Sequence, residues 1–366
     1  MFNYGLFFLL LSIIGFLGMT AGPALLAFLF YFPTRFLASS PRSVKTQQGN
    51  GVEFLIPVHN QAQDLEETLI SLSQLPANFK MTVGANACSD HTIAVAEKYK
   101  ARVIVRERPG KWDMLHDLTA SAKEEWLILM DAGTLVEKDF LERLNLESVP
   151  SDVLGLAPRY FPKKLGIIQK AIWIFESLLK LLENFSGGPI SVHGACVVYR
   201  REKLLKVFAS LSHWQGKDIS WANDDVVIPL WLRFQNPKEK ILYRFDICLD
   251  DWDIHKAPAS KARRKRLIQG NIQWMTTLWP GLLKANFPLF VLSSRRLFRV
   301  AWAWWPVLFY LGILLIVGSS AFKWAILFLL ISSLFFIITF IRKNEIAAAF
   351  IYSLLFFRWK NQLRWK

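Results

Sequence analysis

The chain has 366 residues, 53% of them hydrophobic, and a formal net charge of +15. The apolar share exceeds that of ordinary globular proteins and is gathered into a few long runs, which excludes a purely water-soluble domain. Many of the cations sit beside those runs, as in "KARRKR" (261 to 266) and "RWKNQLRWK" (358 to 366). Anionic lipid is there a nearer partner than nucleic acid. Three widely spaced cysteines, Cys88, Cys196 and Cys248, lack metal-ligand spacing and fit a reduced cytosolic domain.

Residues 4 to 32 carry no charge over 29 positions, enough helix to cross a bilayer core of about 30 Å. No basic region precedes the run, and it is longer than the core of a signal peptide, so an N-terminal anchor is expected over residues 1 to 34. Arg35, Arg42 and Lys45 follow it. The positive-inside rule then puts the next segment in the cytoplasm and the N-terminus outside.

From residue 50 to 260 short β-like runs alternate with helical ones, the pattern of an α/β domain with a mostly parallel sheet. "VEFLIPV" reads as a buried strand and "AQDLEETLISLSQL" as a helix with apolar residues at 65, 69, 72 and 75. "MTVGAN" is a second strand, "HTIAVAEKY" its helix, "RVIVRE" a third strand, and "WLILMD" a fourth after a helix near 113 to 124. Residues 261 to 298 form a basic amphipathic segment suited to a lipid surface. Two membrane spans are expected within 299 to 341, at about 299 to 318 and 322 to 341. The tail from 342 to 366 is basic, and its 12-residue apolar stretch 346 to 357 is too short to cross and is expected to lie in the interface.

Open α/β sheets bind ligands at the carboxyl ends of their strands. Pro57 to Gln61 follow the first strand, Asn86 to Asp90 the second, and Asp131 the fourth. Acids and amides also end strands as plain turn formers, so their position alone leaves a site and a set of turns both open.

The order of pieces, "FLIPVHNQAQDLEETLISL", "ANACSDHT", "RPGKWDMLHDL", "LILMDAG", "HGACVVYRREKL" and "NDDVVIPLWLRF", resembles the membrane-bound family 2 glycosyltransferases over about residues 50 to 275. The layout is also similar to that of ceramide glucosyltransferase-like enzymes. The resemblance implies a nucleotide-diphospho-sugar transferase (GT-A) fold and sugar transfer from a nucleotide donor. Such transfer needs positive charge for the leaving diphosphate and a carboxylate to take the acceptor proton. By resemblance Asp225 is that base and Asp224 its support. Pro57, Asn60, Asn86, Asp90, Lys111, Asp131, Arg266 and Trp274 are expected on the donor side.

The donor motif departs from the family pattern. Asp131-Ala132-Gly133 stands where relatives carry Asp-x-Asp, Asn86 stands for an acid, and Gln61 for a frequent Glu. Asp131 is left as the expected ligand of Mg²⁺ or Mn²⁺, held more weakly than by two acids. Arg108, Lys111 or His193 are alternative sources of positive charge. The segment "PASKARRKRLIQGNIQWM" takes the place of the family's Gln-x-x-Arg-Trp motif in one of two registers, one keeping Arg266 and the other Trp274. The expectation is an inverting transfer of a hexose to a lipid or lipid-linked acceptor at the cytoplasmic face of a bacterial inner membrane. The alternative is a catalytically impaired homologue that binds nucleotide or scaffolds a membrane complex.

Overall fold

The computed structural model of the chain describes residues 4–20, 22–27, 29, 51–76, 78–215, 217–251 and 261–317. The chain divides into two compact units, one built mainly from Phe28–Lys256 and one that joins Met1–Ala27 to Ala257–Leu363.

In chain order the described elements begin with α1 (Tyr4–Met19), α2 (residues 22–27), β1 (Val52–Val58), α3 (Ala62–Ser73), β2 (Lys80–Asn86) and α4 (Thr92–Lys98). Next come β3 (Arg102–Arg106), α5 (Lys111–Ser121), β4 (Trp126–Met130), β5 (Thr134–Leu135), α6 (Phe140–Leu144), β6 (Val153–Tyr160) and α7 (Ile167–Glu183). The last are β7 (Cys196–Arg200), α8 (Arg201–Leu211), β8 (His213–Trp214), β9 (Lys217–Asp218), α9 (Asp224–Gln235), β10 (Lys240–Asp251), α10 (Lys261–Ala285), α11 (Phe287–Val300) and α12 (Trp304–Val317).

The main sheet has eight strands in the order β3-β2-β1-β4-β7-β6-β10-β5. The first four pair in parallel, as the alternating pattern predicts, and β6 is parallel to β10. β7 runs antiparallel between β4 and β6, and β5 antiparallel on β10. β1 is buried on both faces because helices cover both: Phe54, Ile56 and Val58 join Leu65, Leu69 and Leu72 of α3 in one core. Each such side chain adds roughly 1.5–3 kcal/mol, an upper figure because unfolded chains already bury some apolar surface.

The topology sets the site. With β1 and β4 side by side and parallel, their carboxyl ends open onto one rim, and the loop before antiparallel β7 starts from that same rim.

Part of the expected N-terminal anchor, residues 1 to 34, is described in the second unit. The uncharged run is not one helix: α1 stops at Met19, and Thr20 Oγ1 donates back to the carbonyls of Leu17 (3.0 Å) and Phe16 (3.3 Å). Gly22 and Pro23 follow, and proline suits the first turn of a new helix. Sixteen residues reach only about 24 Å, short of a bilayer core.

No single helix among the described residues is long and apolar enough to cross a membrane. The span expected near 299 to 318 is α12, preceded by α11 at a 75° bend, and only that bent pair meets the length and composition of a span. The expected segments 322–341 and 346–357 lie outside the described residues. Within this unit α1 packs on α12 through small residues, Gly15 against Trp305, with Ser12 Oγ donating to the Trp305 carbonyl at 2.8 Å. The basic segment 261–298 is a helix pair, α10 and α11, clamped by Trp279 packing tilted against Phe290 at 4.6 Å and donating to Ser293 Oγ at 2.7 Å.

Candidate active site

The rim is organised around Lys111. Its backbone position is fixed from two sides. Asn86, almost fully buried at the end of β2, accepts the Gly110 amide on Oδ1 at 3.1 Å. Trp112, fully buried, donates to Ser212 Oγ at 3.0 Å and packs on Phe208 at 4.7 Å. Between these anchors the Lys111 ammonium reaches Asp131 Oδ1 at 2.9 Å and Asp224 Oδ2 at 3.2 Å. Burial works against the charge on Lys111, but the two carboxylates outweigh it and raise its pKa above the ordinary lysine value. One cation thus ties the end of β4 to the start of α9.

Asp225 is held by a different device. Pro229 lies inside α9 and has no N–H, so the carbonyl four residues back, that of Asp225, receives no bond from it. The Val192 amide donates to that carbonyl at 2.9 Å. At the other end of the same loop the Ala195 carbonyl accepts the Asp131 amide at 2.9 Å and Thr134 Oγ1 at 3.1 Å.

The loop from 192 to 195 is therefore stitched to both acids, and Gly194 lies between them. A Cβ placed on Gly194 would stand 3.6 Å from Asp131 Oδ2 and 3.7 Å from Asp225 Cβ. Asp131 and Asp225 border one small space.

Under it, Pro57, Lys111, Asp131, Tyr199, Asp224 and Asp225 line a hollow of about 10 Å³, room for no more than about one water. Tyr199 is buried, and burial first, then Asp224 and Asp225, drive its pKa well above the usual phenol value. Among the described residues its hydroxyl has no hydrogen-bond partner.

The donor-side residues separate by role. Asn60 takes a positive φ of 52° and accepts the Ser89 amide at 2.7 Å. Asp90 accepts the amides of Ala62 at 3.0 Å and Thr92 at 3.1 Å. Burial raises the Asp90 pKa, and its hydrogen bonds from Thr92 and Ala62 overturn that and leave it lowered. Asn60 and Asp90 thus brace the loop after β2 against the loop after β1, and Asn86 braces Gly110. Gln61 donates to Asp64 at 3.0 Å.

Arg108 is exposed. His193 sits in an aromatic group with Trp173 at 5.3 Å, Tyr160 at 6.0 Å and Tyr243 at 6.1 Å. Arg266 and Trp274 belong to the helical unit, where Trp274 is fully buried with Nε1 on Asn271 Oδ1 at 3.1 Å.

Gly133 explains the missing second acid in backbone terms. Its φ is +92°, and its amide donates to Thr68 Oγ1 at 2.8 Å and to the Asp64 carbonyl at 3.1 Å. A side chain at that φ is strained, so this turn toward α3 suits glycine and not the second acid expected from the family pattern. Among the described residues no group of three His, Cys, Asp or Glu side chains is arranged to hold a metal ion.

Sequence reasoning missed Gly194, Tyr199 and the loop that joins the two acids. Pro229 inside an apolar helical run was the available signal, because a helical proline always releases the carbonyl one turn before it.

Residues 53–208 match the model of glycosyl transferase family 2. They form a family 2 glycosyltransferase domain. The chain is 22% identical over 301 residues to the poly-beta-1,6-N-acetyl-D-glucosamine synthase of Staphylococcus aureus (strain COL), covering 77% of this chain and 70% of that protein. The protein of the same name from Staphylococcus epidermidis is 22% identical over 359 residues, covering 87% and 81%.

Among solved structures, a Pyrobaculum calidifontis mannosyltransferase in complex with GDP-Man and Mn²⁺ is similar with a TM-score of 0.65. It shares 16% identity and covers 96% of this chain and 99% of that one. This likeness establishes the fold, and the expected GT-A-like α/β domain with a mostly parallel sheet is borne out.

Proposed function

We propose that this glycosyltransferase moves a hexose, with inversion, from a nucleotide-sugar to a lipid or lipid-linked acceptor at the cytoplasmic face of a membrane. The observation that carries the reading is the shared space at Gly194: Asp131 Oδ2 and Asp225 Cβ both lie within 3.7 Å of one point beside it. An anomeric carbon in that space has a carboxylate on one side and the donor-side acid with its ammonium on the other.

The chemistry follows. Asp225 accepts the proton of an acceptor hydroxyl as its oxygen attacks the anomeric carbon. The bond from that carbon to the diphosphate oxygen breaks on the opposite face, so configuration inverts. The leaving nucleoside diphosphate carries away the bonding pair, and its growing charge falls beside Lys111. Asp224 keeps the ammonium aimed there. The mannosyltransferase of similar fold was solved with a nucleotide-sugar, which supports the donor class.

The donor set fits a metal only in part. Gly133 offers no ligand and Lys111 occupies Asp131 Oδ1, so Asp131 would hold Mg²⁺ or Mn²⁺ through its remaining oxygen, with phosphate and water completing the shell. The ion would add charge neutralisation at the diphosphate. Lys111 supplies the portion built into the protein.

Membrane attachment rests on the uncharged run 4 to 32, the bent pair α11 and α12, and the apolar segments from 318 onward. The similarity to polysaccharide synthases favours one second reading, in which the acceptor is a growing saccharide chain. An impaired scaffold is the weaker alternative, because Lys111, Asp131, Asp224 and Asp225 form one connected group.

The test is transfer from radiolabelled nucleotide-sugars in membranes holding the full chain, with the product anomer assigned by NMR. Inverted product supports the mechanism, and retained configuration overturns it.

A further inference from the structure

Helix α7 is inside out. Three of the four described residues it buries are polar: Ser177 and Glu183 are fully buried and Lys180 nearly so, beside the apolar Leu179. Lys180 donates to Ser191, at both the backbone carbonyl and, at 3.3 Å, Oγ, and Glu183 accepts the Ile190 amide at 3.3 Å. Most of the residues it exposes are apolar: Ile167 is 89% exposed, Ile172 55%, Phe175 46% and Leu178 49%, with Ile174 and Leu181 also open, and Phe185 is exposed in the turn that follows. Positions 167, 174, 178 and 181 form one stripe at the helical period, with Phe175 beside it. A helix whose outer face met only water would have the opposite pattern.

The exposed charges around the stripe have one sign. Lys163, Lys164 and Lys170 are exposed along it, and Glu176, half-buried, is the one acid from residue 161 to 182. Lys163 also faces Glu137 at 3.6 Å and Asp250 at 3.8 Å, which leaves Lys164 and Lys170 as the stronger cationic flank. An apolar stripe edged by lysine on a helix of 17 residues matches a segment lying flat in a lipid interface. A second copy of this face would bring the same lysines together, which argues against a dimer.

We infer that α7 docks on an anionic bilayer surface and sets the acceptor side of the site at the depth of lipid headgroups. The inference rests on the reading of a membrane-borne acceptor and deepens it. The link to the site is physical. Trp173 of α7 lies 5.3 Å from His193, and Lys180 and Glu183 hold the segment 190–191, two residues before the loop that carries Gly194. The docked helix therefore holds the loop between Asp131 and Asp225 beside the lipid surface.

The test uses the full chain in nanodiscs of phosphatidylcholine and phosphatidylglycerol with brominated acyl chains. Cys88, Cys196 and Cys248 are replaced by alanine, and bimane is attached at Phe175→Cys or, as a control, at exposed Lys98→Cys. Docking predicts quenching at 175 and none at 98. It also predicts weaker quenching at 175 when Lys164→Glu and Lys170→Glu are added, with no such difference in pure phosphatidylcholine.

No quenching at 175, or its crosslinking to a second copy or to residues 318–366, overturns the proposal. A second variant, Phe175→Glu with Leu178→Glu, changes outward positions and is expected to leave thermal unfolding in detergent unchanged. It should raise KM for the lipid acceptor and leave acceptor-free donor hydrolysis as in wild type; an unchanged acceptor KM overturns the proposal. Quenching needs no turnover, so quenching at 175 without transfer from any donor would sink the transferase reading and leave docking standing.

Discussion

Replacing Lys111 by methionine keeps most of the apolar stem and removes the charge. In the wild type the ammonium lies 2.9 Å from Asp131 and 3.2 Å from Asp224. Asp224 is only 16% exposed, so stranding it without a partner costs on the order of 3–5 kcal/mol. Asp131 is 43% exposed, water screens it, and its share is at most about 1 kcal/mol.

The expected loss of stability is therefore about 3 kcal/mol, read as a lower Tm. For the reaction, removing one fixed donor to a developing negative charge lowers kcat by roughly 10²–10³. The assay is turnover of labelled nucleotide-sugar at saturating donor, with and without chelator. Chelation alone should lower transfer less than Lys111→Met does. Wild-type kcat in Lys111→Met, or complete loss of transfer on chelation, would refute the view of Lys111 as the built-in cation. The pH dependence has a defined sign. Because the folded pKa of Lys111 is raised, its stabilisation is complete below the unfolded value near 10.5 and is lost as pH climbs through the higher folded value.

Three more outcomes are expected. Gly133→Asp restores the family's second acid but forces a side chain onto a φ of +92°, costing about 1–3 kcal/mol; denaturant titration should show that loss, and metal affinity should not rise. Gly194→Ala puts a carbon between Asp131 and Asp225 where a Cβ meets only ordinary contacts; circular dichroism and Tm should hold while transfer falls sharply. Asp90→Ala should destabilise the domain by about 1–2 kcal/mol through lost turn bonds. The lowered pKa of Asp90 means that its contribution is present above the unfolded value near 3.8 and disappears as pH falls through the folded one, so the variant should lack that part of the acid unfolding transition.

The central strands were legible because they are short apolar runs closed by turn residues. β1, β2 and β4 fall within a residue of their expected bounds, and the acids and amides after them do converge on one rim. The pairing of Asp225 with Asp131 was anticipated only through family order. The interaction that fixes Asp225 depends on a loop from 192 to 195 that carries no periodic pattern.

α7 was invisible for a stronger reason. Its apolar stripe has the period of any core helix, and only the folded chain shows that Ser177, Lys180 and Glu183 are buried beside Leu179. The break at Thr20 was readable in Gly22-Pro23, but hydropathy averaged over the run concealed it. Asn86, expected to contact the donor, also accepts the Gly110 amide on its carbonyl oxygen. A backbone amide brought near by folding has no trace in a side-chain motif.

The most direct measurement is transfer by Asp225→Asn in membranes containing the full chain, paired with donor binding by the same preparation. An amide keeps the shape and cannot take the proton, so labelled product should vanish while nucleotide-sugar still binds. Product formed at the wild-type rate would contradict a proton-accepting Asp225.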